Sequence, residues 1–324
     1  MKYPARFKTR RSSATIAVAL LLVLALALLA AACGGDGETN ASASPAAGVD
    51  VAGVTIMPDA TLSAMVPQAI KDSGTLRVAT DIPYPPFEMW VNEGSGEATG
   101  FDYDLGQAFA AKLGLKFEFS DITFDTLIPA LQAGKADMVL AAMVDNKERQ
   151  KAVDFVDYAT VGSVLLTLKG NPDGLTTLDS LAGKTAAAQS GTIQAQMLQD
   201  LKKKFASEGK AALEVLTFPK DSDALLAVKS GKAVANFVQL PNAAYTIGTA
   251  EGASAYEIVS DPAAPSGYAP SIIGAPVPKT DAELRDTIQK TLQALIDDGT
   301  YTTILAKYGL EGSAITSAQV NQGK

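Results

Sequence analysis

The sequence predicts an α/β fold with two lobes, each built on a mostly parallel sheet flanked by helices. Short runs rich in β-branched residues alternate with amphipathic stretches of helical period from about residue 75 to residue 309. Several helical stretches are followed by a glycine, the residue most often found just past a helix C-terminus. About 240 residues can bury one large core or two modest ones, so the division into lobes depends on the order of the elements.

Eight strands and six helices are predicted in this region. The strands fall at 75–80, 115–120, 137–142, 184–189, 212–218, 233–240, 256–260 and 268–277. The helices fall at 102–113, 124–132, 192–207, 221–230, 281–297 and 300–308. Because strands and helices alternate, helices are expected to pack in layers around mostly parallel sheets.

The order of the elements indicates where one lobe gives way to the other. A first α/β block ends at "TVGSVLLTLKGNPDG", and a second begins at "LDSLAGKTAAAQSGTIQAQ". After the second block, "DPAAPSGYAPSIIGAPVPK" contains a further strand and is followed by a long helix. We expect residues 75–163 with 272–313 to form the first lobe, and residues 164–271 to form the second. Ligands of open α/β sheets bind beyond the carboxyl ends of the strands, so lobes with facing strand ends would enclose a cleft.

The N-terminal 33 residues are typical of an export signal. A basic start is followed by an uncharged run rich in Leu and Ala, at 12–32, which closes on small residues before Cys33. A run of this length could also remain as a transmembrane anchor. Because the chain's single cysteine lies where cleavage would leave a new N-terminus, we favour cleavage and lipid attachment at Cys33. Residues 34–74 are expected to form a flexible tether outside the cytoplasm.

The composition excludes several classes of function. The chain has 27 basic and 35 acidic residues. Five of the basic residues and none of the acidic ones lie in the first 33 positions. The remainder therefore has 22 basic and 35 acidic residues, which gives a net charge of −13. An acidic chain without a run rich in Lys and Arg is not expected to bind nucleic acid. The sequence contains no histidine, which excludes zinc sites of the usual kind and Ser-His or Cys-His nucleophile pairs. No cofactor is expected, and a single cysteine forms no disulfide within the chain.

Two candidate anion-binding features follow predicted strands. Arg149 lies just past the strand at 137–142, where its planar guanidinium could bind a carboxylate; an ion pair with a nearby acid is the equal alternative. In "QSGTIQAQ" a strand ends and a helix opens at Thr192, so backbone N–H groups and the positive end of the helix dipole would point outward. An ordinary helix cap is the more common role of such a residue.

Two further segments could contribute to the walls of a cleft. "TDIPYPPFEMW" places Asp81 and Tyr84 after a strand and before a rigid Pro-Pro pair, so the aromatic ring would be held in place. Phe124 begins the helix "FDTLIPALQAG". Taken singly, both aromatic residues are more often part of a core than of a binding site.

Six segments, taken in order, resemble the family-3 solute-binding proteins of ABC importers, the polar amino-acid binders of bacterial envelopes. The resemblance covers about residues 70 to 310. The segments are "ATDIPYPPFE", "TGFDYDLGQAFAAKLGL", "FDTLIPALQAGKADMVLAAM", "ERQKAVDFVD", "LAGKTAAAQSGT" and "VPKTDAELRDTIQKTLQALIDDGTYTTILAKYG".

The resemblance implies a periplasmic-binding-protein-like fold of type II, in which two crossover strands join the lobes. It implies that Arg149 and Thr192 grip the α-carboxylate of a ligand and that Tyr84 and Phe124 form its walls. The backbone near Ala142 would accept from the ligand amine, and Asp81 would lie at the binding end of the first lobe. Gln189 and Gln194 are candidates for contacts with the far end of the ligand, and a solvated surface position is the equal alternative.

Three positions depart from the pattern of this family. Val144 stands where Ser or Thr is usual, Asn146 stands where Thr is usual, and Gln239 stands where an aspartate would meet the ligand's α-ammonium. A neutral amide can accept a hydrogen bond but does not neutralise a buried cation. Either Asp81 or Asp102 supplies the countercharge, or the ligand lacks a free α-ammonium.

The expected function is reversible capture of an amino acid or a related small carboxylate, without catalysis. A monomer would close its lobes on the ligand and dock on the membrane permease of an ABC importer. A dehydratase acting on cyclic carboxylates, a ligand-sensing lipoprotein and a structural lipoprotein are the alternatives.

Overall fold

A computed structural model describes residues 48–92 and 95–324. The expected signal segment, Cys33 and the first part of the expected tether lie outside the described residues. Within the described part, none of the helices combines the length and the apolar character that a bilayer crossing requires.

The first lobe is built on three parallel strands in the order β6-β3-β7. Helices cover this sheet, and the carboxyl ends of its strands lead into the loops that carry Asp81, Phe124 and Ala142. The elements in chain order are β1 (Val49–Val51), β2 (Val54–Ile56), α1 (Ala60–Met65), α2 (Gln68–Ser73), β3 (Thr75–Thr80), β4 (Met89–Trp90), β5 (Ala98–Thr99), α3 (Phe101–Leu113), β6 (Lys116–Asp121), α4 (Leu127–Gln132) and β7 (Met138–Val139).

The expectation of a tether over residues 34–74 is wrong for the described residues 49–73. β1 and β2 pair as an antiparallel hairpin, and the Asp59 side chain caps α1 by accepting from two backbone N–H groups. Apolar side chains of this segment are buried in the core of the first lobe: Val51, Ile56, Leu62, Val66 and Ile70. They are spaced among Ala, Ser and Gly, so no sustained periodicity marks them in the sequence.

A long strand, β8 (Val153–Leu168), leaves the first lobe and enters the second. It pairs antiparallel with the returning strand over Val153 to Ser163, and with second-lobe strands from Ser163 onward. The sequence prediction missed β8 because its residues are an almost unbroken buried run, which lacks the alternation typical of a half-exposed strand.

The second lobe contains three parallel strands, β10-β9-β11, extended by antiparallel pairing to β8 and then to β12. Separate apolar clusters pack on the two faces of this sheet. Its elements are β9 (Thr185–Gln189), α5 (Ile193–Ser207), β10 (Glu214–Phe218), α6 (Asp221–Lys229), β11 (Ala235–Gln239), α7 (Leu240–Gly248), α8 (Ala250–Ala255) and β12 (Tyr256–Ile258).

The chain then returns along β8 and covers the first lobe again. The returning elements are β13 (Tyr268–Pro278), α9 (Ala282–Asp297), α10 (Thr300–Lys307) and β14 (Gln319–Val320). β8 and β13 therefore form the two strands that connect the lobes, as the resemblance implied. β14 adds a short antiparallel pair on β8, which brings the last described residues to the connection between the lobes.

Candidate functional site

The ten ligand-site residues predicted from the sequence line one cavity between the two lobes. The space is narrow: a water-sized sphere can place its centre in about 20 Å³ of it, within about 320 Å³ of empty volume that is partly continuous with solvent. These residues are Asp81, Tyr84, Phe124, Ala142, Val144, Arg149, Gln189, Thr192, Gln194 and Gln239. Three residues missed by the prediction complete the lining: Glu88, Ala141 and Ile193. That these side chains contact a ligand stays a prediction.

Arg149 brings a half-buried positive charge to this cavity. The Asn146 side chain accepts from the Arg149 backbone N–H at 2.9 Å and so fixes the turn that carries the guanidinium. The guanidinium donates to the Val144 carbonyl at 2.6 Å and lies over the Phe124 ring, 5.5 Å from its centroid. Burial lowers the pKa of Arg149 to about 10, although Asp145 opposes this effect.

The ion pairs that would explain Arg149 as a structural residue are not formed. Glu148 pairs with Lys151, Asp154 pairs with Lys279 and Arg285, and Asp157 accepts from the backbone of Gln322. Among residues 48–92 and 95–324, no acidic side chain forms an ion pair with Arg149. Its charge is therefore available to an anion in the cavity.

Thr192 lies opposite Arg149, at the start of a helix on the second lobe. Its hydroxyl accepts from the Ala195 N–H at 3.2 Å and donates to the Gln189 carbonyl at 2.7 Å, so it is the N-cap of α5. Arg149 donates to the Gly191 carbonyl at 2.8 Å. One guanidinium and one helix N-terminus thus meet across the lobe boundary, and both favour a negative charge between them.

A second contact between the lobes joins Gln239 to the end of the first-lobe sheet. Ala142 has a left-handed φ of 44°, which turns the chain out of β7, and its N–H donates to Asp102 at 2.8 Å. Its carbonyl accepts from the Gln239 side-chain amide at 2.9 Å. The other end of that amide, Oε1, is buried without a hydrogen-bond partner among the described residues, so it remains free to accept from a ligand.

Asp102 does not line the cavity and lies behind Ala142. Its Oδ2 also accepts from the Tyr158 hydroxyl at 2.9 Å, and burial raises the pKa of Asp102 to about 6. Burial and the charge of Asp102 raise the pKa of the adjacent Glu88 carboxyl well above its usual range. A proton on Glu88 would be shared with Asp102, leaving one negative charge on the pair. The only sequence signal for Glu88 is a charged residue inside an apolar, Pro-rich loop.

Asp81, the other acid considered as a countercharge, is engaged by side chains of the second lobe. Its Oδ1 accepts from Lys220 Nζ at 2.5 Å and its Oδ2 accepts from the Gln189 amide. Burial raises the pKa of Asp81, and the Lys220 ammonium opposes that effect. Lys220 was missed in the sequence, although it follows the carboxyl end of a predicted strand, where site residues of α/β proteins collect.

The remaining predicted residues are held by local contacts. Gln194 donates to the Ser163 hydroxyl at 2.9 Å and is buried within the wall formed by the second lobe. The Val144 side chain is buried, and only its carbonyl contacts Arg149. In the described part of the chain, no group of three or more His, Cys, Asp or Glu side chains is arranged to hold a metal ion.

Comparison with known proteins agrees with this arrangement. The sequence profile of the bacterial extracellular solute-binding proteins, family 3, matches residues 76–311. The chain is 29% identical over 274 residues to the arginine-binding protein ArgT of Corynebacterium glutamicum, covering 82% of this chain and 85% of that protein. An ancestral arginine-binding protein bound to arginine superposes with a TM-score of 0.65 at 34% identity, over 72% of this chain and 98% of that one. The ancestral amino acid-binding protein AncCDT-1, described as a precursor of cyclohexadienyl dehydratase, also gives a TM-score of 0.65 at 34% identity, over 77% and 99% of the two chains. The chain belongs to the bacterial extracellular solute-binding proteins of family 3 and has their two-lobed α/β fold.

Proposed function

We propose that this solute-binding protein of an ABC importer holds the carboxylate of an amino acid, or of a related small acid, between Arg149 and the N-terminus of α5. The observation that carries the proposal is the half-buried Arg149 guanidinium, which lines the cavity and forms no ion pair with a described acid. It donates to two carbonyls, but no negative charge neutralises it, so a carboxylate ligand would gain one or two charge-assisted hydrogen bonds, worth about 1.5–3 kcal/mol each.

Binding and lobe closure are coupled in this proposal. Residues on the first lobe contact residues on the second at several points around the cavity, including Arg149 with Gly191 and Gln239 with Ala142. The Asn242 amide adds a third contact by donating to the Pro85 carbonyl at 2.9 Å. A ligand that bridges Arg149 and Thr192 interacts with both lobes only when they are together, so it favours the closed arrangement.

The ligand is bound reversibly and leaves unchanged. The relatives named above are described as binding proteins, and one of them as the precursor of a dehydratase. Glu88 and Asp81 are the carboxyls among the described residues that line the cavity; Asp81 is engaged by Lys220 and Gln189, and the acid beside Glu88, Asp102, does not line the cavity. Mass spectrometry of a recovered cyclic acid after incubation tests this point, because turnover would replace the acid by its dehydrated product.

The N-terminal residues would place this monomer at the outer face of the cell membrane. Cleavage before Cys33 and lipid attachment to its thiol would keep the closed protein near its permease. Incorporation of labelled palmitate into the full-length chain, and its loss in Cys33→Ser, tests the anchor independently of ligand binding.

A thermal-shift screen tests the proposed ligand class. Twenty amino acids, their carboxamides, their N-acetyl derivatives and simple carboxylates are compared at equal concentration. Because a ligand of the folded state raises the melting temperature by mass action, we expect shifts from compounds with a free carboxylate and none from the matched amides. Equal shifts from an acid and its amide would show that the carboxylate is not recognised.

A further inference from the structure

We infer that Lys220 sets the charge selectivity of the cavity, so that the site takes amino acids with uncharged side chains and discriminates against arginine and lysine. This inference depends on the proposed function, because it concerns the part of the same ligand that lies away from Arg149. It assigns to Lys220 a role in choosing the ligand, although Lys220 does not line the cavity itself.

Lys220 reaches from the start of α6 on the second lobe into the strand-end loops of the first. Its Nζ donates to Asp81 Oδ1 at 2.5 Å, to the Ile82 carbonyl at 2.9 Å and to Asp121 Oδ1 at 2.9 Å. Burial lowers the pKa of Lys220, but the bonds to Asp81 and Asp121 outweigh burial and leave that pKa raised. Three oxygen acceptors therefore hold one ammonium, which is the full donor capacity of a lysine.

Asp81 is the cavity carboxylate that this ammonium engages. It is only 2% exposed, and each of its oxygens already has a donor, Lys220 on Oδ1 and the Gln189 amide on Oδ2. A guanidinium or ammonium on a ligand that approached Asp81 would have to share this carboxylate with the Lys220 ammonium or displace Lys220 toward Asp121. In both cases two cations would lie close together in a partly buried region around one cavity carboxylate, which is unfavourable.

The other charges around the cavity do not replace Asp81 as a partner for a cationic side chain. Arg149 is positive. Glu88 lines the cavity, but burial and the charge of Asp102 raise its pKa well above its usual range and so favour its neutral form. Asp121 is 43% exposed and does not line the cavity. The lining beside Asp81 consists of groups that hydrogen-bond or pack without a net charge, such as Gln189 and Tyr84.

A zwitterion with an uncharged side chain fits this distribution. Its carboxylate would meet Arg149, and its ammonium would meet the carbonyl of Ala142, the free Oε1 of Gln239 and the negative charge of the Glu88–Asp102 pair. Its side chain would then need no countercharge. Selectivity of this kind is a difference between two affinities, produced by an unfavourable arrangement for the wrong ligand.

Replacing Lys220 by methionine tests the inference, because methionine keeps the length of the side chain and removes its charge. Calorimetric titrations compare glutamine, arginine and lysine on the unaltered protein, on Lys220→Met and on the control Lys232→Met, which removes a charge from an exposed turn of the same lobe. We expect the unaltered protein and the control to bind glutamine about 10-fold or more tightly than arginine. In Lys220→Met, Asp81 is released, and the affinity for arginine relative to glutamine should rise by about 10-fold or more.

A second variant keeps the test informative if Lys220→Met does not fold. Asp81→Asn leaves the Lys220 ammonium with one carboxylate fewer, so the affinity for glutamate relative to glutamine should rise. Tighter binding of arginine than of glutamine by the unaltered protein would overturn the inference and leave the proposed function intact. The inference would also be overturned, with the proposed function intact, if Lys220→Met kept the unaltered ratio of arginine to glutamine affinity and Asp81→Asn kept the unaltered ratio of glutamate to glutamine affinity. If the unaltered protein bound no amino acid, or if Arg149→Ala kept full affinity, the proposed function would fail, and the role of Lys220 with it.

Discussion

The side-chain amide of Gln239 donates to the carbonyl of Ala142 at 2.9 Å, and this bond joins the second lobe to the end of the first-lobe sheet. It occupies the acceptor expected to meet the ligand's amine. The resemblance described above implies an aspartate at the position of Gln239, so the charge of this residue bears directly on how an α-ammonium would be held.

We predict that Gln239→Asp increases the preference for free amino acids over their N-acetyl derivatives. A carboxylate neutralises a buried ammonium, whereas an amide does not, so the ratio of the two affinities should rise by about 10-fold. Calorimetry with one amino acid and its N-acetyl derivative measures this ratio, and Gln239→Asn serves as the control of equal size without a charge. A ratio that is the same in both variants would show that the ammonium does not lie beside residue 239.

Gly191 lies against Asp125 of the first lobe, and we predict that Gly191→Ala weakens ligand binding. A Cβ on Gly191 would lie 2.8 Å from Asp125 Cβ and 3.0 Å from its Cα, on the opposite lobe. Closure would have to stop short, so affinity should fall by about 10-fold or more while the fold is kept. Gly231→Ala is the matched control, because Gly231 has a similar left-handed φ of 74° and open space around it. Equal affinities of the two variants would show that this contact does not limit closure.

The backbone N–H of Gly323 donates to Asp145 Oδ2 at 2.6 Å, in the turn that carries Arg149. We predict that Gly323→Ala lowers the free energy of unfolding by about 1–3 kcal/mol, because its Cβ would lie 2.2 Å from the Asp145 carbonyl oxygen and the buried hydrogen bond would be lost. Chemical denaturation measures the change. Gly312→Ala is the control, because no atom lies within 4 Å of the added Cβ, and it should have little effect. If both variants lost a similar amount of unfolding free energy, the contact between Gly323 and Asp145 would not be the cause.

Asp157 gives the protein a pH-dependent stability. Burial, followed by the charge of the adjacent Asp145, raises the pKa of Asp157 to about 7. The folded protein therefore holds a proton that the unfolded chain releases near pH 4, so this contribution to stability is complete below that pH and is lost as the pH rises through 7. We predict that the unfolding free energy falls less between pH 4 and pH 8 in Asp157→Asn than in the unaltered protein. Between the two pKa values, the slopes of the two pH profiles should differ by the equivalent of about one bound proton. Parallel pH profiles of the two proteins would contradict this assignment.

Several site residues were predictable because their roles are local. Arg149 and Thr192 each follow a strand with a clear pattern, and the order of the family segments indicates that the two strand ends face each other. Lys220 was not predictable in this way, because its three acceptors come from loops about 100 residues or more away and meet it only when the lobes pack together. The strands and helices at residues 49–73 were not predicted for a related reason. Their few apolar side chains are stabilised by packing in the core of the first lobe and form no local pattern in the sequence.

Arg149 provides the most direct test of how the ligand is held. Calorimetric titration of the unaltered protein, Arg149→Ala and the control Lys147→Ala is carried out with the amino acid that gives the largest thermal shift. Lys147 lies exposed in the same turn and bonds only to Gln150 among the described side chains, so its removal changes the charge without touching the cavity. We expect the control to keep its affinity and Arg149→Ala to lose about 100-fold or more, since two charge-assisted hydrogen bonds disappear. Full affinity in a folded Arg149→Ala protein would contradict the conclusion that this guanidinium holds the ligand's carboxylate.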